Sequence, residues 1–221
     1  MVRRRTRERI LYGNEVITMT LYKIVLGGNS NCGKTELLPK LAKYLEGCGY
    51  YVLLIPESAT ELLNDGLVPA EDFQVHVACK QRINEDNQTI RAWKHMTKHY
   101  NQDVVMLLDR SFLCQRAYTP DVETWTNILN KALNLNYSPE QMVACIGKRY
   151  DGVIHMESNL KFGYVAEGRI ESCEEALALE EKVFEANKMC KVFKYVPRQE
   201  KMNDKLELVK KACMSIINNK E

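Results

Sequence analysis

The residues with the clearest chemical signature in this chain are the octet Gly-Asn-Ser-Asn-Cys-Gly-Lys-Thr at positions 28–35. The octet matches the phosphate-binding pattern G-x-x-x-x-G-K-[ST] at every fixed position. Gly28 and Gly33 let the backbone turn tightly, so that successive N–H groups point at phosphate oxygens beside a helix N-terminus. Lys34 then reaches the β- and γ-phosphates, and the Thr35 hydroxyl is a ligand for Mg²⁺. The octet predicts a nucleoside triphosphate site.

The surroundings of the octet fit the same interpretation. An apolar run at 21–26 precedes it and a helical pattern begins near residue 34, which is the strand–loop–helix context that the motif requires. This context argues against a glycine-rich turn with a chance Lys-Thr pair. We expect every residue of the loop to contact the nucleotide: Gly28, Asn29, Ser30, Asn31, Cys32, Gly33, Lys34 and Thr35. ATP and Mg²⁺ are the predicted cofactors.

Charged residues also follow three other predicted strands, at the sheet edge where ligands bind in such folds. Asp109 and Arg110 directly follow the apolar run 104–108, in the manner of a Walker B strand. Asp109 is predicted to hold Mg²⁺ directly or through water, with Arg110 within reach of phosphate. The alternative is an acid that simply ends a strand at the surface.

Glu57 and Arg169 are the remaining candidates for catalysis. Glu57 follows the run 51–55, where its carboxylate would face the γ-phosphate from the acceptor side and accept a hydroxyl proton. The alternative role of Glu57 is to flank a helix capped by Ser58. Arg169 follows the fourth predicted strand and could close over the phosphates to neutralise transition-state charge. Its alternative is a solvated arginine that pairs with a nearby glutamate.

The elements that must position these residues alternate along the chain. Five runs predict strands, at 21–27, 51–55, 104–108, 152–156 and 192–196. Helical patterns cover about 34–46, 59–64, 72–99, 122–134, 139–148, 171–189 and 204–217. This alternation predicts a three-layer α/β/α sandwich with a five-stranded parallel sheet, as in P-loop NTPases. We expect the last strand at an edge, and Pro39 to kink or shorten the first helix.

Composition is that of one ordinary globular domain. Of the 221 residues 45% are hydrophobic and 27% charged, and no apolar run approaches the length of a membrane span. Eight cysteines occur without a C-x-x-C pair, which disfavours a zinc site and indicates a reduced, cytoplasmic compartment. Residues 1–9 hold five arginines and one glutamate. We therefore divide the chain into a basic extension at 1–18, which we expect to be loosely ordered, and a P-loop domain at 19–221.

The combination of Glu57 with Asp109-Arg110-Ser111 resembles the P-loop kinases, especially deoxynucleoside and thymidylate kinases. The order of motifs is also similar to the AAA ATPase branch that includes nicotinamide riboside kinase domains. The resemblance rests on the loop 28–35, 56–58, the helix with Gln81 and Glu85, 109–110, 150–153 and 168–176, and covers roughly 20–197. It implies that Lys34 and Thr35 serve ATP and Mg²⁺, that Glu57 is the acceptor-side base, and that Arg110 and Arg169 clamp phosphate.

Three functions are compatible with these residues. The first is a kinase that transfers the γ-phosphate of Mg-ATP to a small nucleoside- or nucleotide-like acceptor. The second is a nucleotide-dependent switch or regulatory ATPase without a small acceptor. The third is a polynucleotide 5′-kinase, whose nucleic acid would be held only through the basic extension.

Overall fold

The computed structural model describes residues 6–12, 15–29, 32–158 and 173–218. Its strands are β1 (Thr6–Tyr12), β2 (Glu15–Gly27), β3 (Tyr51–Ile55), β4 (Val104–Asp109), β5 (Gly152–Met156) and β6 (Phe193–Val196). Its α-helices are α1 (Lys34–Gly47), α2 (Ser58–Asn64), α3 (Phe73–Met96), α4 (Phe112–Gln115), α5 (Val122–Leu133), α6 (Pro139–Ile146), α7 (Cys173–Lys188) and α8 (Met202–Asn218). A 3₁₀ turn, Arg116–Tyr118, follows α4.

Five strands form a parallel sheet in the order β3-β4-β2-β5-β6. The predicted α/β fold is therefore confirmed, and β6 lies at an edge as expected. The central strands are continuous apolar runs because both faces of a parallel sheet are covered. All six residues of β4 are buried. Since β2 and β4 are neighbours, their carboxyl ends place Gly27 and Asp109 at one edge of the sheet.

Strand β1 differs from the expectation of a loosely ordered extension. It pairs antiparallel with β2, from Thr6 opposite Leu21 to Tyr12 opposite Glu15. Strand β2 consequently starts at Glu15, before the apolar run at 21–27 that the sequence identifies. The basic residues of this segment hide its strand character, because they interrupt the apolar pattern that marks a buried strand.

Two apolar clusters fill the space between the sheet and its helices. One packs the α3, α4, α5 and α6 side against one face and includes Val25, Leu53, Met106, Trp125 and Ile146. The other packs α1 and α8 against the opposite face and includes Ile24, Leu37, Leu41, Leu107 and Val209. Alternate residues of β2 and β4 point to opposite faces, so each strand supplies both clusters. The predicted three layers follow from this arrangement.

The structure corrects one local expectation about helices, which is the cap at Ser58. Helix α1 runs from Lys34 to Gly47 with Pro39 inside it, so the proline does not shorten it. Helix α2 takes Glu57 as its N-cap without a side-chain cap, and the Ser58 hydroxyl donates instead to Gln81 Oε1 at 2.9 Å. Ser138 is the N-cap of α6 and forms a capping box with Gln141. Among the described helices, none is long and apolar enough to cross a membrane.

Candidate functional site

The phosphate loop joins the end of β2 to the start of α1. Gly28 has φ of 128° and Gly33 has φ of 89°, and both values lie in the region that favours glycine. A Cβ atom at Gly28 would lie 2.4 Å from the Met156 carbonyl oxygen, and one at Gly33 would lie 2.9 Å from Met202 Cε. The backbone conformation therefore favours glycine at both positions, and at Gly28 the close backbone oxygen also leaves no room for a Cβ atom. Ser30 and Asn31 fall outside the described residues.

Lys34 is buried at the first position of α1. Its Nζ donates to the carbonyl oxygens of Gly28 at 3.1 Å and Asn29 at 3.0 Å, and lies 3.4 Å from Cys32 Sγ. Burial by itself lowers the pKa of Lys34, but nearby acidic groups, among them Cys32 and Asp109, raise it above its usual value overall. The ammonium group is thus charged and held against the loop that would receive the phosphates.

A cleft of about 350 Å³ opens in front of the loop. The residues that line it are Gly33, Lys34, Thr35, Glu36, Glu57, Asp109 and Arg110. The sequence predicts six of these as site residues, and they come from the first three crossovers of the sheet. Glu36 is the addition, because the second residue after a phosphate-loop lysine carries no fixed identity in the motif.

Asp109 ends β4 and is only 8% exposed. Its Oδ1 atom is buried and makes no hydrogen bond within the described part of the chain. Burial raises the pKa of Asp109 because the charged form loses hydration, and Lys34 opposes this effect. A buried carboxylate oxygen without a partner is costly unless a cation or donor meets it. With the Thr35 hydroxyl in the same cleft, this donor set fits Mg²⁺.

Arg110 and Glu57 form an ion pair on the other side of the cleft. The distance from Arg110 Nε to Glu57 Oε1 is 2.8 Å, a charge contact without the alignment of a good hydrogen bond. Arg110 has φ of 68°, its N–H donates to Leu26 O at 3.2 Å, and its guanidinium contacts the Tyr118 hydroxyl. Burial acts to lower the pKa of Arg110, but Tyr118 and Glu57 outweigh it and raise that pKa. The positive φ turns Arg110 out of β4 and towards Glu57.

Two other sets of expected residues are absent from the described lining of the cleft. Arg169 is outside the described residues, so its role over the phosphates stays a prediction. Gln81 and Glu85, which belong to the helix that the resemblance matches, are buried in α3 and do not line the cleft. They form hydrogen bonds with each other and with their neighbours behind the cleft.

One group of residues behind the loop was missed from the sequence. Asn187 of α7 lies against Gly27, where a Cβ atom would be 2.3 Å from Asn187 Nδ2. The Asn187 amide donates to His155 Nδ1 at 2.9 Å and accepts from Cys114 Sγ at 3.2 Å. These residues are far apart in the chain and belong to no motif. Only the glycine before the loop hints that another group approaches closely.

His155 leads to a prediction about acid stability. Burial lowers the pKa of His155 to about 4, from 6.5 in an unfolded chain. Between these values the unfolded chain binds a proton that the folded protein does not, so stability is full above pH 6.5 and falls as the pH drops towards 4. We expect a loss of roughly 3 kcal/mol in the free energy of unfolding over this range. Urea unfolding at several pH values measures it.

The control for this prediction is the exposed His76 of α3. The variant His155→Gln should lose the part of the pH dependence that His155 contributes, whereas His76→Gln should keep it. If stability depends on pH equally in the wild type and in His155→Gln, burial does not lower the pKa of His155 as expected.

A comparison with protein families agrees with this site. The family model described as an AAA domain matches residues 23–199, which include the phosphate loop, Glu57, Asp109 and Arg110. No curated protein matches the chain with significant similarity.

Proposed function

Since the chain belongs to the AAA domain family, and so to the nucleotide-binding P-loop proteins, we propose that it is an ATP-dependent kinase for a small nucleoside- or nucleotide-like acceptor. One observation carries this proposal beyond nucleotide binding. The Glu57 carboxylate, oriented by Arg110 at 2.8 Å, lies in the same cleft as Lys34 but belongs to a different strand end. A carboxylate opposite the phosphate loop is suited to accept the proton of an attacking hydroxyl group.

The residues of the cleft divide the work of phosphoryl transfer. The acceptor oxygen forms a bond to the γ-phosphorus, the bond from that phosphorus to the ADP oxygen breaks, and Glu57 takes the proton of the acceptor hydroxyl. Lys34 and Arg110 offset the negative charge on the transferred group. Thr35 and Asp109 would hold Mg²⁺, which supplies further charge neutralisation when bound. Positioning and electrostatics account for the chemistry.

The second candidate is a regulatory ATPase, for which the loop, Asp109 and Thr35 would suffice. The two functions differ in whether the space beside Glu57 takes an organic hydroxyl group or only water. For the third candidate, a polynucleotide kinase, the described residues of the basic extension add no support, because they show only its pairing with β2.

A panel of acceptors tests the proposed function. Purified protein with Mg-ATP is given nucleosides, nucleoside monophosphates and nicotinamide riboside, and phosphorus NMR follows ADP and new phosphate esters. We expect at least one acceptor to raise ADP release about tenfold or more over hydrolysis by water. Lys34→Ala serves as the inactive control. If no acceptor raises ADP release, the regulatory ATPase is the better description and a partner bound only with triphosphate should be sought.

A further inference from the structure

Glu85 of α3 is a fully buried carboxylate with every acceptor position in use. Its Oε1 accepts from Gln81 Nε2 at 3.0 Å and from the Tyr150 hydroxyl at 2.8 Å. Its Oε2 accepts from Arg149 Nε at 2.8 Å and lies 2.8 Å from Arg149 Nη2. A buried carboxylate costs free energy unless it is paired, and here an arginine and two further donors pair it. Glu85 therefore connects several segments of the chain.

The first connection leads to Glu57. Gln81 Oε1 accepts from the Ser58 hydroxyl at 2.9 Å, and both side chains are buried. Ser58 is the residue after Glu57 and the first of α2. Since the β3 ladder ends at Ile55, no strand pairing fixes this segment. The chain of contacts Glu85–Gln81–Ser58 supplies that restraint.

The second connection leads to Arg110. The Tyr150 hydroxyl accepts from the backbone N–H of Phe112 at 3.3 Å, and the Arg149 guanidinium carbon lies 5.0 Å from the centre of the Phe112 ring. Phe112 begins α4, so its N–H is one of the donors that a helix start leaves without an internal partner. The contact fixes the segment just after Arg110, where the positive φ has already taken the chain out of the sheet.

The charges in this network fix the direction of its hydrogen bonds. Burial acts to raise the pKa of Glu85, but Arg149, Lys23 and the donors from Gln81 and Tyr150 outweigh it, and the pKa lies below its usual value. Burial and the Glu85 charge raise the pKa of Tyr150 well above its usual value. Around neutral pH, Glu85 is thus always an acceptor and Tyr150 always donates to it. The network has one arrangement rather than several.

We propose that Glu85 is a positioning residue that sets the separation of Glu57 and Arg110 through the Ser58 and Phe112 connections. The consequence for function rests on the proposed kinase activity, in which Glu57 and Arg110 face the acceptor. The described residues of the phosphate loop are held by contacts within the loop and make none of the hydrogen bonds of Glu85. Loss of Glu85 is therefore expected to disturb the acceptor side of the cleft and to spare nucleotide binding.

The test compares Glu85→Gln with the matched control Glu61→Gln. Glu61 also joins α2 to α3, through Asn84 Nδ2, but it lies at the partly exposed rim and does not contact Tyr150 or Arg149. The direct readout is the ¹⁵N-resolved NMR signal of Arg110 Nε–H, assigned by its loss in Arg110→Lys. This proton is buried beside Glu57, so its shift and exchange rate report on the ion pair. The second readouts are the affinity for an ATP analogue and turnover with an acceptor.

In Glu85→Gln we expect the Arg110 signal to move or broaden, turnover to fall about tenfold, and analogue affinity to stay within about twofold. Glu61→Gln should change none of these. Tyr150→Phe provides a milder variant in case Glu85→Gln does not fold, because it removes only the hydroxyl that joins Glu85 to Phe112, and it should also move the Arg110 signal.

The outcomes separate this inference from the proposed function. If the Arg110 signal moves but no acceptor is phosphorylated by the wild type, the positioning role stands and the kinase function fails. An unchanged Arg110 signal in both variants overturns the positioning role, whatever happens to thermal stability or turnover. A combined Glu85→Gln and Arg110→Lys variant no worse in turnover than Arg110→Lys alone would further support action through Arg110.

Discussion

Lys34→Ala is expected to weaken ATP binding about a hundredfold or more, since truncating one partner of a buried charge pair costs roughly 2–5 kcal/mol. The Lys34 Nζ is the ammonium group held against the loop by the Gly28 and Asn29 carbonyls, inside the cleft that Thr35 and Asp109 also line. Without it the loop keeps its backbone N–H groups but loses the cation that reaches the phosphates. Isothermal titration with a non-hydrolysable ATP analogue measures the effect.

Two controls make the Lys34 result specific. Lys43→Ala removes a lysine from the exposed face of the same helix and should leave affinity unchanged. Thermal unfolding without nucleotide shows whether the loss of the Gly28 and Asn29 contacts has unfolded α1. Wild-type affinity in a folded Lys34→Ala protein would refute the assignment of residues 28–35 as a phosphate loop.

Glu57→Gln is expected to lower phosphoryl transfer about a hundredfold or more, the range in which a positioned general base contributes. The amide keeps the size of the side chain but cannot take a proton from the acceptor hydroxyl, and it weakens the pairing with Arg110. Because Glu57 belongs to the end of β3 and not to the loop, ATP analogue affinity should stay within about twofold of wild type. Steady-state rates at saturating ATP measure the loss.

Glu36→Gln is the matched control for Glu57→Gln. Glu36 contributes a carboxylate to the same cleft, but it is exposed and pairs with Lys40 on the outer face of α1. The same chemical change at Glu36 should reduce turnover by less than about threefold, because exposed ion pairs contribute little. Equal losses of turnover in the two variants would mean that turnover depends on the negative charge of the cleft and not on a general base at Glu57.

Much of the fold could be predicted because buried parallel strands appear in the sequence as nearly continuous apolar runs. The apolar runs at 51–55 and 104–108 match β3 and β4 almost residue for residue. In β4 the run is continuous because both faces of the strand are covered. The loop at 28–35 could be predicted because its glycines and lysine are required by phosphate geometry. Its neighbours Glu57 and Asp109 followed from their places at strand ends.

What could not be predicted depends on contacts between distant residues. Ser58 looks like a helix cap in sequence, but its hydroxyl donates a hydrogen bond to Gln81, 23 residues along the chain. Glu85 looks like an exposed polar residue of a helix, yet it is buried and accepts hydrogen bonds from Arg149 and Tyr150. Helix α4 is too short for any apolar period to appear, and it begins where the backbone of Arg110 leaves the sheet.

Strand β2 gives the molecule a mechanical axis. It carries the β1 pairing along its first half, the ladders to β4 and β5 along its second half, and the phosphate loop directly after Gly27. A tensile load applied through β1 would act first on the antiparallel hydrogen bonds between β1 and β2. Any force that these bonds transmit would pass along β2 to the phosphate loop. For single-molecule or surface measurements, the tether should therefore be attached to α8, so that the load is not applied along β2.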